Sequence, residues 1–173
     1  WSIRLCACQP DLGTLSLNIT VVGAGAWGTA LAITFSARHC VTLWTRESEV
    51  TQTMLAAREN KRFLPGFLLP EELRIEADFD AAIADAELLL LATPLIGFRT
   101  SLRRLSDARQ IRPLLWVCKG LEAETAQLPH QIVAAELGEG CLYGALTGPS
   151  FTEEVARGLP TAITLAANDA EFA

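Results

Sequence analysis

The sequence predicts an α/β fold built on a doubly wound, mainly parallel sheet, and three observations carry that reading. Short apolar runs of strand length alternate with stretches of good helix formers from residue 17 to residue 166. One of those runs, residues 88–93, is almost continuously apolar, as expected of a parallel strand covered on both faces. The third observation is a glycine-rich turn, Gly23-Ala24-Gly25-Ala26-Trp27-Gly28, set between the first strand and the first helix.

Each element has a local reason. Residues 17–22 form a strand, 26–38 a helix, 41–44 a second strand and 48–59 a second helix. Residues 60–70 are a loop punctuated by Pro65, Gly66 and Pro70. After a strand at 73–76, Asp80 is the expected N-cap of a short helix with Ile83 facing inward and Asp85 outward. A helix at 96–106 and a buried strand at 113–118 follow, then a helix at 126–137 closed by Gly138. Residues 142–146 form a strand leading into Thr147-Gly148-Pro149-Ser150, a short helix runs on to Arg157, and 161–166 are a last strand. Strands separated by helices imply βαβ units. Residues 1–16 lack any period and read as a leader, 17–166 as the domain, and 167–173 as the start of a continuation cut short.

Bulk properties exclude several functions. The 173 residues are 50 % hydrophobic and 20 % charged, the composition of a soluble globular protein with a well-buried core. A net charge of -6 and a pI near 4.9 argue against general nucleic-acid binding, which needs a basic surface. Acidity does not exclude a small anionic ligand, because backbone amides and one or two cations can hold a phosphate locally. No apolar run approaches the ~18 residues of a membrane span, and Pro10, Asp11 and Gly13 make the first residues a poor signal peptide. Cys40, Cys118 and Cys141 lie in or beside apolar runs and read as free core thiols, while Cys6 and Cys8 lack the second pair a metal site needs. A reducing cytoplasm is the expected compartment. His39 and His130 fit no acid–base pair and read as surface or helix-end residues.

The glycine turn carries the first functional signal. Gly23 permits a tight turn, Gly25 lets backbone approach a pyrophosphate, and Gly28 lets helix and strand pack closely. With a strand before and a helix after, this is the fingerprint of a Rossmann-type dinucleotide site, the pyrophosphate lying on the amides and positive dipole end at Ala26, Trp27 and Gly28. An acid at the end of the second strand would bind the ribose 2′-hydroxyl and select NAD. Here Thr45-Arg46 stands there, with Glu47 one step later. A hydroxyl and a guanidinium suit a 2′-phosphate, so NADP is favoured over NAD, with Arg46 as a plain solvated charge the alternative.

Further motifs narrow the family. The run 23–32, the segment Asn60-Lys61-Arg62-Phe63-Leu64-Pro65-Gly66 with Leu69-Pro70, the run Lys119-Gly120-Leu121-Glu122 and Gly148-Pro149-Ser150-Phe151 together resemble the N-terminal half of the prokaryotic glycerol-3-phosphate dehydrogenases. That resemblance implies interconversion of sn-glycerol 3-phosphate and dihydroxyacetone phosphate with NAD or NADP, in support of phospholipid synthesis. It implies a phosphate-bearing small substrate held by Lys119, Gly148 and Ser150, with Lys119 and Thr152 also near the cofactor, and it is compatible with a homodimer of the full-length protein. The family commonly has Thr at position 150 and Ala at 152, so backbone contributions carry over here while the side-chain roles are left open. Its proton-transfer lysine belongs to a helical C-terminal domain absent from this chain, so no catalytic residue is expected here, Lys61 and Lys119 being the two lysines present. The residues agree: Lys119 follows a strand at a sheet edge where such folds bind ligands, and an ammonium there can pair with phosphate or polarise a carbonyl. Thr93-Pro94 ends another strand, with Pro94 shaping the loop. Two rivals stay open. One is another two-domain dehydrogenase, such as a ketopantoate reductase or hydroxyacyl-CoA dehydrogenase, against which Leu64-Pro65-Gly66 and Lys119-Gly120 speak. The other is a non-catalytic dinucleotide sensor, in which Lys119 and the 148–150 turn would be superfluous.

Overall fold

The computed structural model describes residues 16–173. All but the last residue of the expected leader, with Cys6 and Cys8, lies outside them. The described chain runs β1 (Asn18–Val22), α1 (Ala26–Ser36), β2 (Cys40–Trp44), α2 (Ser48–Ala57), β3 (Arg74–Glu76), α3 (Phe79–Ile83), β4 (Leu88–Leu91), α4 (Leu95–Asp107), β5 (Leu114–Trp116), α5 (Pro129–Leu137), β6 (Tyr143–Thr147), α6 (Thr152–Ala156) and β7 (Thr164–Ala167). One sheet takes the order β3-β2-β1-β4-β5-β6-β7. The first six strands are parallel. Winding runs outward from β1 in one direction and from β4 in the other, so the crevice between their carboxyl ends is the topological switch point.

Alternation along the central strands divides the core between two faces. Val21 and Leu90 point to the side of α1, α2 and α6, where Leu31, Leu43, Met54 and Leu73 are buried with them. Val22, Leu89 and Leu91 point to the other side, against Phe98, Leu102 and Leu105 of α4 and Ile132 of α5. Phe98 has no exposed surface and meets Trp116 edge to face at 5.9 Å. Thr20, within β1, satisfies its buried hydroxyl by donating to the Ala82 carbonyl at 2.6 Å.

Several boundaries differ from the expected ones, each for a physical reason. The cap of α3 is Asp78, whose carboxylate accepts from the Ala81 amide at 2.8 Å, and not Asp80, which sits inside the first turn. α2 stops at Ala57 because Arg58 turns left-handed, at φ 48°. The left-handed Ala126 (φ 55°) keeps residues 126–128 out of α5, which starts at Pro129, a residue suited to a first turn by its fixed φ and missing N–H. The helix after β6 is no crossover. Thr147 ends β6 opposite Thr164, which opens β7, so the chain leaves and re-enters the sheet at the same edge and β7 is antiparallel. Cys141 is buried, whereas Cys40 and Cys118 are half-buried, and all three are free thiols.

The capping geometry yields a direct test. Asp78→Ala should cost about 1 kcal/mol of stability, as N-cap losses do, while Asp80→Ala should cost well under half of that. Urea midpoints of the two variants decide it, and equal losses would contradict the assignment.

Candidate functional site

The glycine turn is shaped by two close approaches and one opening. Gly23 takes φ 117°, and a Cβ there would come within 2.9 Å of the Ala92 carbonyl oxygen. A Cβ on Gly28 would lie 2.0 Å from the Gly23 carbonyl oxygen and 2.9 Å from the Ala92 Cβ, which no packing adjustment accommodates. Gly25 differs, since a Cβ there would meet nothing within 4 Å. No internal contact therefore demands glycine at 25, and the open space beside it leaves the backbone accessible to a ligand. α1 starts when the Gly25 carbonyl accepts from Thr29 at 2.9 Å. No side chain caps it and no acid lies in its first turn. The amides of Ala26, Trp27 and Gly28 thus have no helical partner and face the crevice with the positive dipole end, a cradle that fits a pyrophosphate.

A residue not singled out for the site from the sequence holds this turn in place. Asn60 is 1 % exposed. Its amide donates to the Ala24 carbonyl at 2.9 Å and to the Thr29 hydroxyl at 2.8 Å, while its carbonyl oxygen accepts from the Phe63 amide at 3.2 Å. Every polar atom of the side chain is thereby used to join the 60–64 loop to the glycine turn. At the end of β2, Thr45 is buried and Arg46 is exposed and outside any ion pair among the described residues. Glu47 pairs with Arg62 at 2.5 Å.

Between α1 and the carboxyl ends of β5 and β6 lies a cleft of about 200 Å³. Trp27, Lys119, Gly148, Ser150, Thr152 and Ile163 all line it, so five of the residues expected at the site meet in one place, with Arg46 apart at the β2 edge. Lys119 is the one charged side chain among the described residues lining it. Gly120 behind it turns the chain away at φ 104°. Trp27 is half-buried, packing on the core of its face while presenting surface to the cleft. Gly148 is required by crowding, because a Cβ would lie 2.4 Å from the Ala162 carbonyl oxygen. The 148–150 turn is less open than the sequence implied. The Ser150 amide donates to the Gly148 carbonyl at 3.0 Å, and Glu153 and Glu154 occupy the first turn of α6. The Ser150 hydroxyl reaches the same carbonyl only at 3.5 Å, a long bond readily exchanged for a better acceptor. α6 is tied to α1 by the Thr34 hydroxyl, which donates to the Val155 carbonyl at 2.9 Å.

Among the described residues no cluster of His, Cys, Asp and Glu could hold a metal ion, and no helix is long and apolar enough to cross a membrane. Comparison with known proteins completes the picture. Residues 18–173 match the family model described as NAD-dependent glycerol-3-phosphate dehydrogenase N-terminus. The chain belongs to this family. It is 54 % identical over 157 residues to a glycerol-3-phosphate dehydrogenase [NAD(P)+] of Dechloromonas aromatica and 55 % identical over 157 residues to that of Aromatoleum aromaticum, covering 91 % of this chain in both cases. It spans 48 % of each of those relatives, about half their length. The crystal structure of glycerol-3-phosphate dehydrogenase from Coxiella burnetii superposes with a TM-score of 0.84 at 35 % identity, over 91 % of this chain and 48 % of that one. Membership separates the chain from the two other dehydrogenase families considered above.

In this member of the glycerol-3-phosphate dehydrogenase family, the segment after Lys119 is clamped from α4. Arg99 donates to both carboxylate oxygens of Glu122, at 2.8 and 2.6 Å, and to the Gln127 side chain at 2.6 Å. It also pairs with Glu136, which Arg103 shares. The hydrogen bonds from Arg99 hold the Glu122 carboxyl down at about 2, helped by the Thr125 hydroxyl. The same contacts raise the guanidinium of Arg99 further above its ordinary value.

The sign of the pH effect follows. A carboxyl whose folded value lies below its ordinary 4.5 contributes stability that is present above pH 4.5 and lost as the pH falls toward 2. Thermal unfolding followed from pH 6 to 2.5 should show this loss, and Glu122→Gln should be less stable at neutral pH yet flatter below pH 4.5. A variant as acid-sensitive as the parent would show that Glu122 does not carry the effect.

Proposed function

We propose that this chain is the dinucleotide-binding half of a glycerol-3-phosphate dehydrogenase, interconverting sn-glycerol 3-phosphate and dihydroxyacetone phosphate and so supplying the glycerol backbone of phospholipids. The observation that carries the reading is the cleft between α1 and the carboxyl ends of β5 and β6, where Lys119 is the sole charge among the described lining residues and Trp27 of the glycine turn also contributes to the wall. An isolated ammonium in a chain of net charge -6 is a selective place for a small phosphate ester. The open space at Gly25 and the uncapped first turn of α1 support a bound dinucleotide, and Arg46 beside buried Thr45 supports NADP ahead of NAD. Residues 17–166 are the dinucleotide-binding domain in this reading, and the proton-transfer lysine belongs to the half of the relatives that this chain does not span. The three free thiols are in keeping with a cytoplasmic location, and the acidic chain with the absence of nucleic-acid partners.

Each group has a defined task. A reduced nicotinamide, when bound, supplies the hydride. The amides of Ala26, Trp27 and Gly28 would hold the pyrophosphate, with Trp27 to cover it, and Thr152 lines the cleft on the cofactor side of this reading. Lys119 binds the substrate phosphate or the oxygen that gains charge when the ketone is reduced, and a cation there stabilises that charge as it develops. Gly148 lets the 148–150 turn pack closely against Ala162 at the wall of the cleft, and Ser150 offers its hydroxyl to the phosphate.

Two measurements test this. Gly25→Val places a branched side chain in open space, so the fold should persist, by circular dichroism and melting temperature, while NADPH and NADH binding is lost. A folded variant with retained micromolar-range affinity would remove the turn from the site. In the full-length protein, Lys119→Ala should lower kcat/KM for dihydroxyacetone phosphate about 100-fold, equivalent to about 2.7 kcal/mol, with little change in cofactor affinity. The 173-residue chain alone should show no turnover. Normal kinetics in the variant, or turnover by the chain alone, would refute the assignment.

A further inference from the structure

The ribose edge carries more charge than Arg46 alone. Glu47 follows directly in sequence, and its carboxylate is held 2.5 Å from the guanidinium of Arg62, which comes from the 60–64 loop. Arg62 lies over the Phe63 ring, 4.9 Å from its centre. That loop is itself fixed to the glycine turn by Asn60, so Arg62 is delivered to the β2 edge by the same connection that shapes the pyrophosphate cradle. The pair is well exposed, with side-chain exposures of 60 % for Arg62 and 48 % for Glu47, and pairs so exposed are weakly held and easily exchanged. The guanidinium of Arg46 and the Glu47 carboxylate with its partner Arg62 therefore meet just beyond the end of β2, where the ribose 2′ substituent is expected.

We propose that the Glu47–Arg62 ion pair sets the balance between the 2′-phosphorylated and the unphosphorylated dinucleotide, an inference that rests on the dinucleotide-binding reading above. In the paired state the one carboxylate near the ribose is occupied, so it neither accepts from a ribose 2′-hydroxyl nor repels a 2′-phosphate at full strength. A 2′-phosphate competes with Glu47 for Arg62 and adds a second cation to Arg46. A free 2′-hydroxyl cannot compete for Arg62, and gains only if Glu47 leaves Arg62 to accept from it. The pair thus lets one chain hold both cofactors while leaning toward the phosphorylated one. Replacing the Glu47 side chain leaves the helix start intact, since Glu47 caps α2 through its backbone carbonyl, which accepts from Thr51 at 3.1 Å, and not through its side chain.

Dissociation constants of NADPH and NADH, measured by fluorescence titration of this chain at fixed ionic strength, test the idea in both directions. Glu47→Gln removes the anion and frees Arg62, so the NADPH-to-NADH affinity ratio should rise at least 5-fold. Arg62→Ala removes a cation and frees the carboxylate, so the ratio should fall at least 5-fold, and Arg46→Ala should lower it further while leaving the opposed effects of the other two in place. A pair with a merely structural role would move both affinities together and leave the ratio within 2-fold of the parent in both variants, which would overturn the proposal. If the unsubstituted chain binds neither cofactor, the dinucleotide reading itself fails. If it binds both with a ratio insensitive to Glu47 and Arg62, only the present inference fails.

Discussion

Everything at the site depends on how closely α1 lies against β1 and β4. Gly28 has no room for a Cβ because the Gly23 carbonyl already fills that position, with Ala92 just beyond β4 close behind it. This contact fixes where the first turn of α1 ends up, namely over the aligned ends of the two central strands, where Val22 pairs with Leu91. Other features are consequences. The Gly23 amide is free to donate to the Trp44 carbonyl at 3.0 Å, bringing the end of β2 to the turn. Asn60 then reaches the Ala24 carbonyl from below, and Thr34 one turn from the helix end reaches α6. A helix held a methyl group further out would break each of these links in turn.

Much of this was legible in the residues, and the rest was hidden for identifiable reasons. The glycine turn, the alternation of strands and helices and the apolar run at 88–93 are local signals, written in neighbouring residues. The cleft could be anticipated because Lys119 and Gly148 both stand just after strands, and parallel strands bring their carboxyl ends to one edge. Asn60 could not be found that way. Its partners lie 36 and 31 positions away, and an Asn after a helix has an ordinary local explanation as a helix-ending residue. Arg99 is similar, an arginine on a helix that reads as solvated until the 119–128 segment folds back over it. Asp80 is the cap of α3 expected from the sequence, but Asp78 two positions earlier is an equally good capping residue, and propensity alone does not choose between them. The direction of β7 was hidden because α6 has the look of a crossover helix, and only the pairing of Thr147 with Thr164 shows that the chain doubles back.

Charge is distributed with the same economy. The chain is acidic overall, yet Glu47 beyond β2 is engaged by Arg62, and Glu122 and Glu136 by Arg99 and Arg103. Arg46 and Lys119 are left without ion-pair partners among the described residues, one at each side of the crevice. A negatively charged protein thus presents two positive points to an anion that approaches the carboxyl edge of its sheet.

The order of the strands has one further consequence. β2, which carries Arg46 and Glu47 at its end, and β5, which precedes Lys119, are separated by β1 and β4. Three strand spacings amount to about 14 Å. Substitutions that far apart, with no shared partner, usually act additively. Under the proposed assignments, evolution or a protein engineer can therefore retune the choice of coenzyme at β2 without altering the substrate side at β5, and the reverse. In that reading the sheet serves as an insulator between two independently heritable traits.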